Sequence, residues 1–143
     1  MVLRIVRLGS ARAEHEGLRI GTVRRPPRGV PKADYASQNW YDVWYPNLAP
    51  SVETMKLAQE ATTTQEWQAF ARRYRVEMGT PENSRTLDVL AALSHHADFS
   101  VGCYCADETR CHRSLLRELL VSKGAKLEPA AVRREDDRED AFR

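Results

Sequence analysis

Apolar and polar residues alternate over Leu3–Leu8 (LRIVRL), which predicts a short strand. Leu18–Val23 (LRIGTV) predicts a second strand, weakened by Gly21 in its interior. Polar Gly9–Gly17 between them reads as loop. The period lengthens after residue 50. Ser51 is placed to cap a short helix ending near Glu60. Thr63 or Thr64 caps a second helix, with Glu66 at capping-box spacing from Thr63, and Gly79 stops it after Met78. Trp67, Phe70, Ala71, Tyr74 and Met78 recur every three to four residues and define its inward face. Pro81 opens a third helix with Leu87, Leu90, Ala91 and Leu93 inward. Phe99–Cys105 (FSVGCYC) predicts a further strand. A last helix starts at Cys111 or His112 and ends near Ser122, with Leu115, Leu116, Leu119, Leu120 and Val121 as its apolar side. Strands mixed with helices predict an α/β fold: a single three-layer-like domain over residues 1–128, with a small, mainly parallel sheet and flanking helices. Residues 129–143 read as a charged tail.

Two segments break the periodicity. Arg24–Lys32 (RRPPRGVPK) holds three prolines, four cations and no acid, so it is neither helix interior nor central strand but a stiff cationic loop. Asp34–Tyr45 holds five of the chain's eleven aromatic residues. Charge makes the first segment stand out further. The whole 143-residue chain carries only +2, too little for a histone-like nucleic-acid binder. Residues 1–40 hold eight basic and three acidic residues (+5), residues 41–130 ten and twelve (−2), and residues 131–143 four and five (−1). No apolar run reaches the roughly 18–20 residues of a membrane span. No secretory leader is legible, and three cysteines are an odd count, so the expectation is a cytoplasmic protein with reduced thiols.

The cysteines concentrate the chemistry. Val101–Leu116 (VGCYCADETRCHRSLL) reads as a strand, a short polar loop and a helix start. In open parallel sheets ligands bind at the carboxyl ends of strands. A helix start offers free N–H groups and the positive end of its dipole, which together attract anions and ionise thiols. Cys105 and Cys111 are the candidate nucleophiles, His112 the candidate proton shuttle, and Arg110 and Arg113 the candidate anion holders. Arg28 and Lys32 join them if the strands before the two loops are parallel neighbours. The Cys105–Arg110 spacing resembles the loop of rhodanese-like sulphurtransferases, from which it departs by lacking glycine and carrying Asp107 and Glu108. Cys103, Cys105, Cys111 and His112 are also four plausible zinc ligands, although C-x-C-x5-C-H matches no usual knuckle. Neighbours Cys111 and His112 on a helix would diverge by roughly 100°.

Several blocks resemble the DUF488 family, a bacterial and archaeal domain of unknown function, and particularly its YeaO-like branch. Pro27-Arg28-Gly29 with Lys32 resembles that branch's PRG-x-x-K segment, and Asp42 through Ser51 its D-x-W…LAPS block with Trp44. Trp67 through Glu77, with Arg73 and Tyr74, resembles its W-x-x-F-x-x-RY-x-x-E helix. Cys111-His112-Arg113 matches the CHR signature of the wider family. The resemblance spans residues 18–124 and implies a compact cytoplasmic α/β domain without supplying an activity, cofactor or oligomeric state. It adds Trp44, Arg73 and Tyr74 to the candidate ligand-binding residues. The leading expectation is a Cys/His/Arg pocket for a phosphate- or nucleotide-like anion, with thiol chemistry; no membrane partner is expected. The alternatives are a non-catalytic nucleic-acid or nucleotide-binding module and a zinc-stabilised structural domain.

Overall fold

The computed structural model describes residues 1–129. Four strands, β1 (Leu3–Arg7), β2 (Leu18–Gly21), β3 (Val43–Trp44) and β4 (Phe99–Cys103), form one sheet in the order β1-β4-β2-β3. Every pairing is parallel. All five residues of β4 are buried because it is hydrogen-bonded to a strand on either side. A parallel bridge from Leu3 to Leu127 covers the outer edge of β1. The fold is therefore α/β with a small parallel sheet, as the pattern predicts.

Four helices follow the predicted positions: α1 (Val52–Glu60), α2 (Thr64–Met78), α3 (Pro81–Leu93) and α4 (His112–Ser122). Their caps are the expected ones. Ser51 accepts from the Thr54 N–H and Thr63 from the Glu66 N–H. Phe70, Tyr74, Leu87, Leu115, Leu116 and Leu120 pack with Leu3, Phe99 and Val101 into the main core. Among the described residues no helix is long and apolar enough to cross a membrane.

Several boundaries differ from expectation. β4 stops at Cys103 instead of Cys105, and β1 at Arg7. β3 is too short to show a period. Leu93 is 42% exposed because the inward stripe of α3 runs Leu87, Leu90, Ala91 and then Ser94, which is fully buried. Val121 is 57% exposed, one residue and about 100° round the helix from buried Leu120. Residues 130–143, nearly all of the expected tail, lie outside the described residues.

The third layer is loop. Side chains alternate across a strand, so Arg19, Gly21, Ser100 and Gly102 face away from the helical core. Segments 8–17 and 22–42, which link β1 to β2 and β2 to β3, cover that face. Arg19 is fully buried there. Its guanidinium donates to the Glu16 carboxylate at 2.7 and 2.9 Å and to the carbonyls of Ser10 (2.9 Å) and Asn39 (2.7 Å). Glu16 also accepts from the Ser100 hydroxyl at 3.0 Å and the Ala13 N–H at 3.2 Å. Next on the strand, a Cβ at position 21 would lie 2.3 Å from the Tyr41 ring, so only glycine lets that aromatic lie flat on the sheet.

Burial opposes ionisation of Glu16, but Arg19, the Ala13 N–H and the Ser100 hydroxyl outweigh it and hold the carboxyl below its ordinary value. A depressed carboxyl contributes stability above its unfolded value of about 4.3 and loses it as pH falls through the lower folded one. Glu16→Gln leaves Arg19 buried without its counter-charge and is expected to cost about 3–5 kcal/mol at neutral pH. Urea unfolding checks this: the gap between variant and wild type should narrow on acidification, and equal midpoints at pH 7 would refute it.

Candidate functional site

β2 and β4 are parallel neighbours, so the cationic loop after β2 and the cysteine loop after β4 leave the same edge of the sheet. The connection from β2 crosses the loop-covered face, whereas β4 leads into α4 in the helical layer. Where neighbouring connections part in this way, a crevice opens at the carboxyl ends.

The cysteine loop is tightly built. Asp107 accepts from the Thr109 N–H (3.0 Å) and hydroxyl (2.6 Å), capping a 3-10 turn over Glu108–Arg110. Glu108 takes a two-point ion pair from Arg117 at 2.8 and 3.2 Å. Both loop acids are thus engaged in structure. Cys111 is extended (φ −132°, ψ 153°) at the N-cap position, and His112 is the first residue of α4. Arg113 is buried, donates to the Cys105 carbonyl and leaves its Nε without a partner.

The thiols divide into a buried pair and an exposed one. Cys103 and Cys111 are buried with sulfurs 2.7 Å apart, and Cys105 is exposed. The His112 ring is buried, its Nε2 2.9 Å from the Thr22 carbonyl and its Nδ1 3.6 Å from the Cys111 sulfur. A carbonyl only accepts, so Nε2 carries the proton and Nδ1 the lone pair. Burial lowers the His112 pKa to about 4 and keeps the ring neutral. Hydrogen bonding with Cys103 and Cys111, together with the charge of Arg113, holds Cys105 well below the ordinary thiol range. Hydrogen bonding to Cys105 and Cys111, then burial, pushes Cys103 up. The hydrogen bond with Cys103 favours the Cys111 thiolate, but Cys105 and burial outweigh it and bring Cys111 to about 11.

A cavity of about 400 Å³ opens onto this cluster, and Arg25, Arg28, Cys103, Cys105 and His112 all line it. Val52, Met55 and Gln59 of α1 close its far wall. Arg24 also reaches it, but donates to the Ala49 and Pro50 carbonyls at 3.0–3.1 Å and so anchors the loop. An adjoining crevice of about 660 Å³ shares Arg25, Arg28 and Tyr104 and adds Arg7 and Trp40. The Tyr104 hydroxyl donates to the Arg25 carbonyl at 2.9 Å and ties the two loops together.

The expected site residues therefore separate. Arg28, Cys105 and His112 share the cavity, and Cys111 stands behind it in contact with Cys103 and His112. Lys32 and Trp44 line a different recess of about 290 Å³ beside Asp42. Trp44 is held there by its indole N–H, which donates to the Val23 carbonyl at 2.8 Å. Arg73 and Arg110 are exposed and line none of these cavities. Tyr74 is fully buried; its hydroxyl donates to the Leu48 carbonyl at 2.7 Å and its ring meets His112 edge-on. Arg113 supports the Cys105 loop from within. Sequence reasoning missed Arg25 and the α1 wall, although Val52, Met55 and Gln59 keep a helical i, i+3, i+7 spacing.

Neither a curated protein nor a solved structure matches the chain significantly. A family model does: residues 3–124 match the one described as the active DUF488-N3 subclade. With the CHR signature at the start of α4 and the match spanning the whole sheet and all four helices, the chain belongs to the DUF488 family.

Proposed function

We propose that the crevice at the carboxyl ends of β2 and β4 binds a small oxyanion, phosphate or the phosphate of a nucleotide, and presents the Cys105 thiol to it. The observation that carries this reading is that Arg28 and Cys105, from loops 77 residues apart, line one cavity. Arg25 lines it too, and among the described residues neither guanidinium has an ion-pair partner. Guanidinium pairs bind planar or tetrahedral oxyanions by paired, charge-assisted hydrogen bonds. Tyr104 fixes the Arg25 backbone and limits the entropy lost when an anion binds.

Cys105 is the nucleophile of this site because it is the exposed thiol and its neighbours favour the thiolate. His112 positions groups: its N–H is committed to Thr22 and its lone pair to the thiol side. Three free thiols fit a reducing compartment, and we place the protein in the cytoplasm. A second reading, a non-catalytic nucleotide or nucleic-acid module, draws support from the adjoining crevice. There Trp40 stands beside the same two arginines, and base stacking on such a ring is worth about 1–3 kcal/mol.

In native, reduced protein, iodoacetamide is expected to label Cys105 alone, with all three cysteines reacting only in denaturant. Peptide mapping reads the sites, and equal labelling of buried and exposed thiols in the folded state overturns the assignment. Sulfate or phosphate should slow that labelling. Arg28→Ala should weaken the protection roughly tenfold or more, the worth of a charge-assisted hydrogen bond. Protection that survives both Arg28→Ala and Arg25→Ala, or never occurs, sinks the anion reading. Protection by a nucleotide alone, undiminished in binding by Cys105→Ser, favours the second.

A further inference from the structure

Cys103 closes β4, Cys111 precedes α4 and His112 begins it. One ligand atom from each lies within 4.8 Å of the others, and all three residues are buried. The spacing along the sequence counts against such a set, because adjacent helical residues diverge. The structure removes that objection, since Cys111 is extended and only His112 is helical. The sharp change of backbone direction between them turns both side chains to one point.

The imidazole is set as a ligand. Its Nε2–H is spent on the Thr22 carbonyl, and Nδ1 faces the two sulfurs with its lone pair. A ring whose far nitrogen is clamped by a backbone carbonyl is the usual outer support of a metal-bound histidine. The two buried sulfurs meet each other at 2.7 Å. Two thiolates and an imidazole form a soft donor set that suits zinc.

We propose that Cys103, Cys111 and His112 form a three-ligand site for zinc, with the fourth coordination position open to the arginine-lined cavity. The cavity wall already includes Cys103 and His112, so an ion held by them meets whatever enters. Zn–S bonds of about 2.3 Å at tetrahedral angles set two sulfurs about 3.8 Å apart. Loading therefore spreads the sulfurs from 2.7 Å by about 1 Å, a shift within reach of cysteine side-chain rotation. The Cys111 to Nδ1 distance of 3.6 Å already fits. Binding releases one proton from each thiol, and the two thiolates balance the charge of the ion. The exposed Cys105 stands beside the open position. This inference does not rest on the anion reading.

Cobalt titration of the full-length, reduced, chelator-stripped protein tests it. One equivalent of Co²⁺ should bring up the sulfur-to-cobalt charge-transfer band and the visible bands of a tetrahedral ion, and zinc should abolish both. Cys103→Ser and Cys111→Ser should lose the band. Because buried variants can fail to fold, Cys105→Ser is the second arm and should keep both band and stoichiometry. Zinc binding to wild type should release about two protons. Folded, reduced wild type without the band overturns the site. Loss of the band in folded Cys105→Ser overturns the open position, since Cys105 is then a ligand. A cobalt band without sulfate protection sinks only the anion reading, and protection without a band sinks only this one.

Discussion

The ion pair of Arg19 with Glu16 is the constraint on which the rest of the loop layer depends. Helices cover one face of the sheet, and an arginine stands on the other in the middle of a strand. Burying that charge is tolerable only if a carboxylate and further acceptors come with it. Glu16 arrives from the segment before β2, Ser10 offers a carbonyl from the same segment, and Asn39 offers one from the connection to β3. Ser100 completes the carboxylate from β4. One side chain thereby fixes both loop crossovers against the two inner strands. Its position also decides where the crevices open: Ser10, itself one of those acceptors, and Trp40, next to Asn39, form part of the wall that faces Arg28.

The electrostatics of the site follow from where the acids are spent. The net charge of +2 gives little field on its own. Asp107 is consumed as a turn cap, Glu108 by Arg117 and Asp42 by Arg12 together with the Arg19 backbone N–H. Arg25 and Arg28 keep exposed guanidiniums on a proline-stiffened loop. A loop already restricted in φ loses less entropy when it closes on a ligand. Local imbalance, created by pairing elsewhere, is what gives a near-neutral chain a positive field at one edge.

Much of this was legible in the sequence. Helix period, caps and stops placed all four helices, because each signal is local. The parallel adjacency of the strands before the two loops was a conditional inference, and the β2–β4 pairing satisfies it. The misses are non-local. Arg19 reads as an outward charge until its partners 3, 9 and 20 residues away are known. Lys32 lies on the same loop as Arg28, but the chain turns between them and carries Lys32 to another recess. Arg73 and Tyr74 sit side by side in a family motif, yet the helix turns one to solvent and the other into the core. A motif marks residues; it does not say that they meet.

The CHR signature shows the same distinction at closer range. Its cysteine, histidine and arginine are all buried, and each is engaged with protein atoms: Cys111 with Cys103, His112 with Thr22, Arg113 with the Cys105 carbonyl. None of these arrangements requires a substrate, and all of them bear on the loop that holds Cys105. A buried arginine with its Nε unpartnered is costly, so its retention in the fold needs a compensating charge or acceptor nearby. The Cys105 carbonyl is one such acceptor, taken by the Arg113 Nη2. The signature is therefore best understood as the floor of the site. It supports from within the loop that carries Cys105, while the exposed cations of the crevice come from the proline-stiffened loop carrying Arg25 and Arg28.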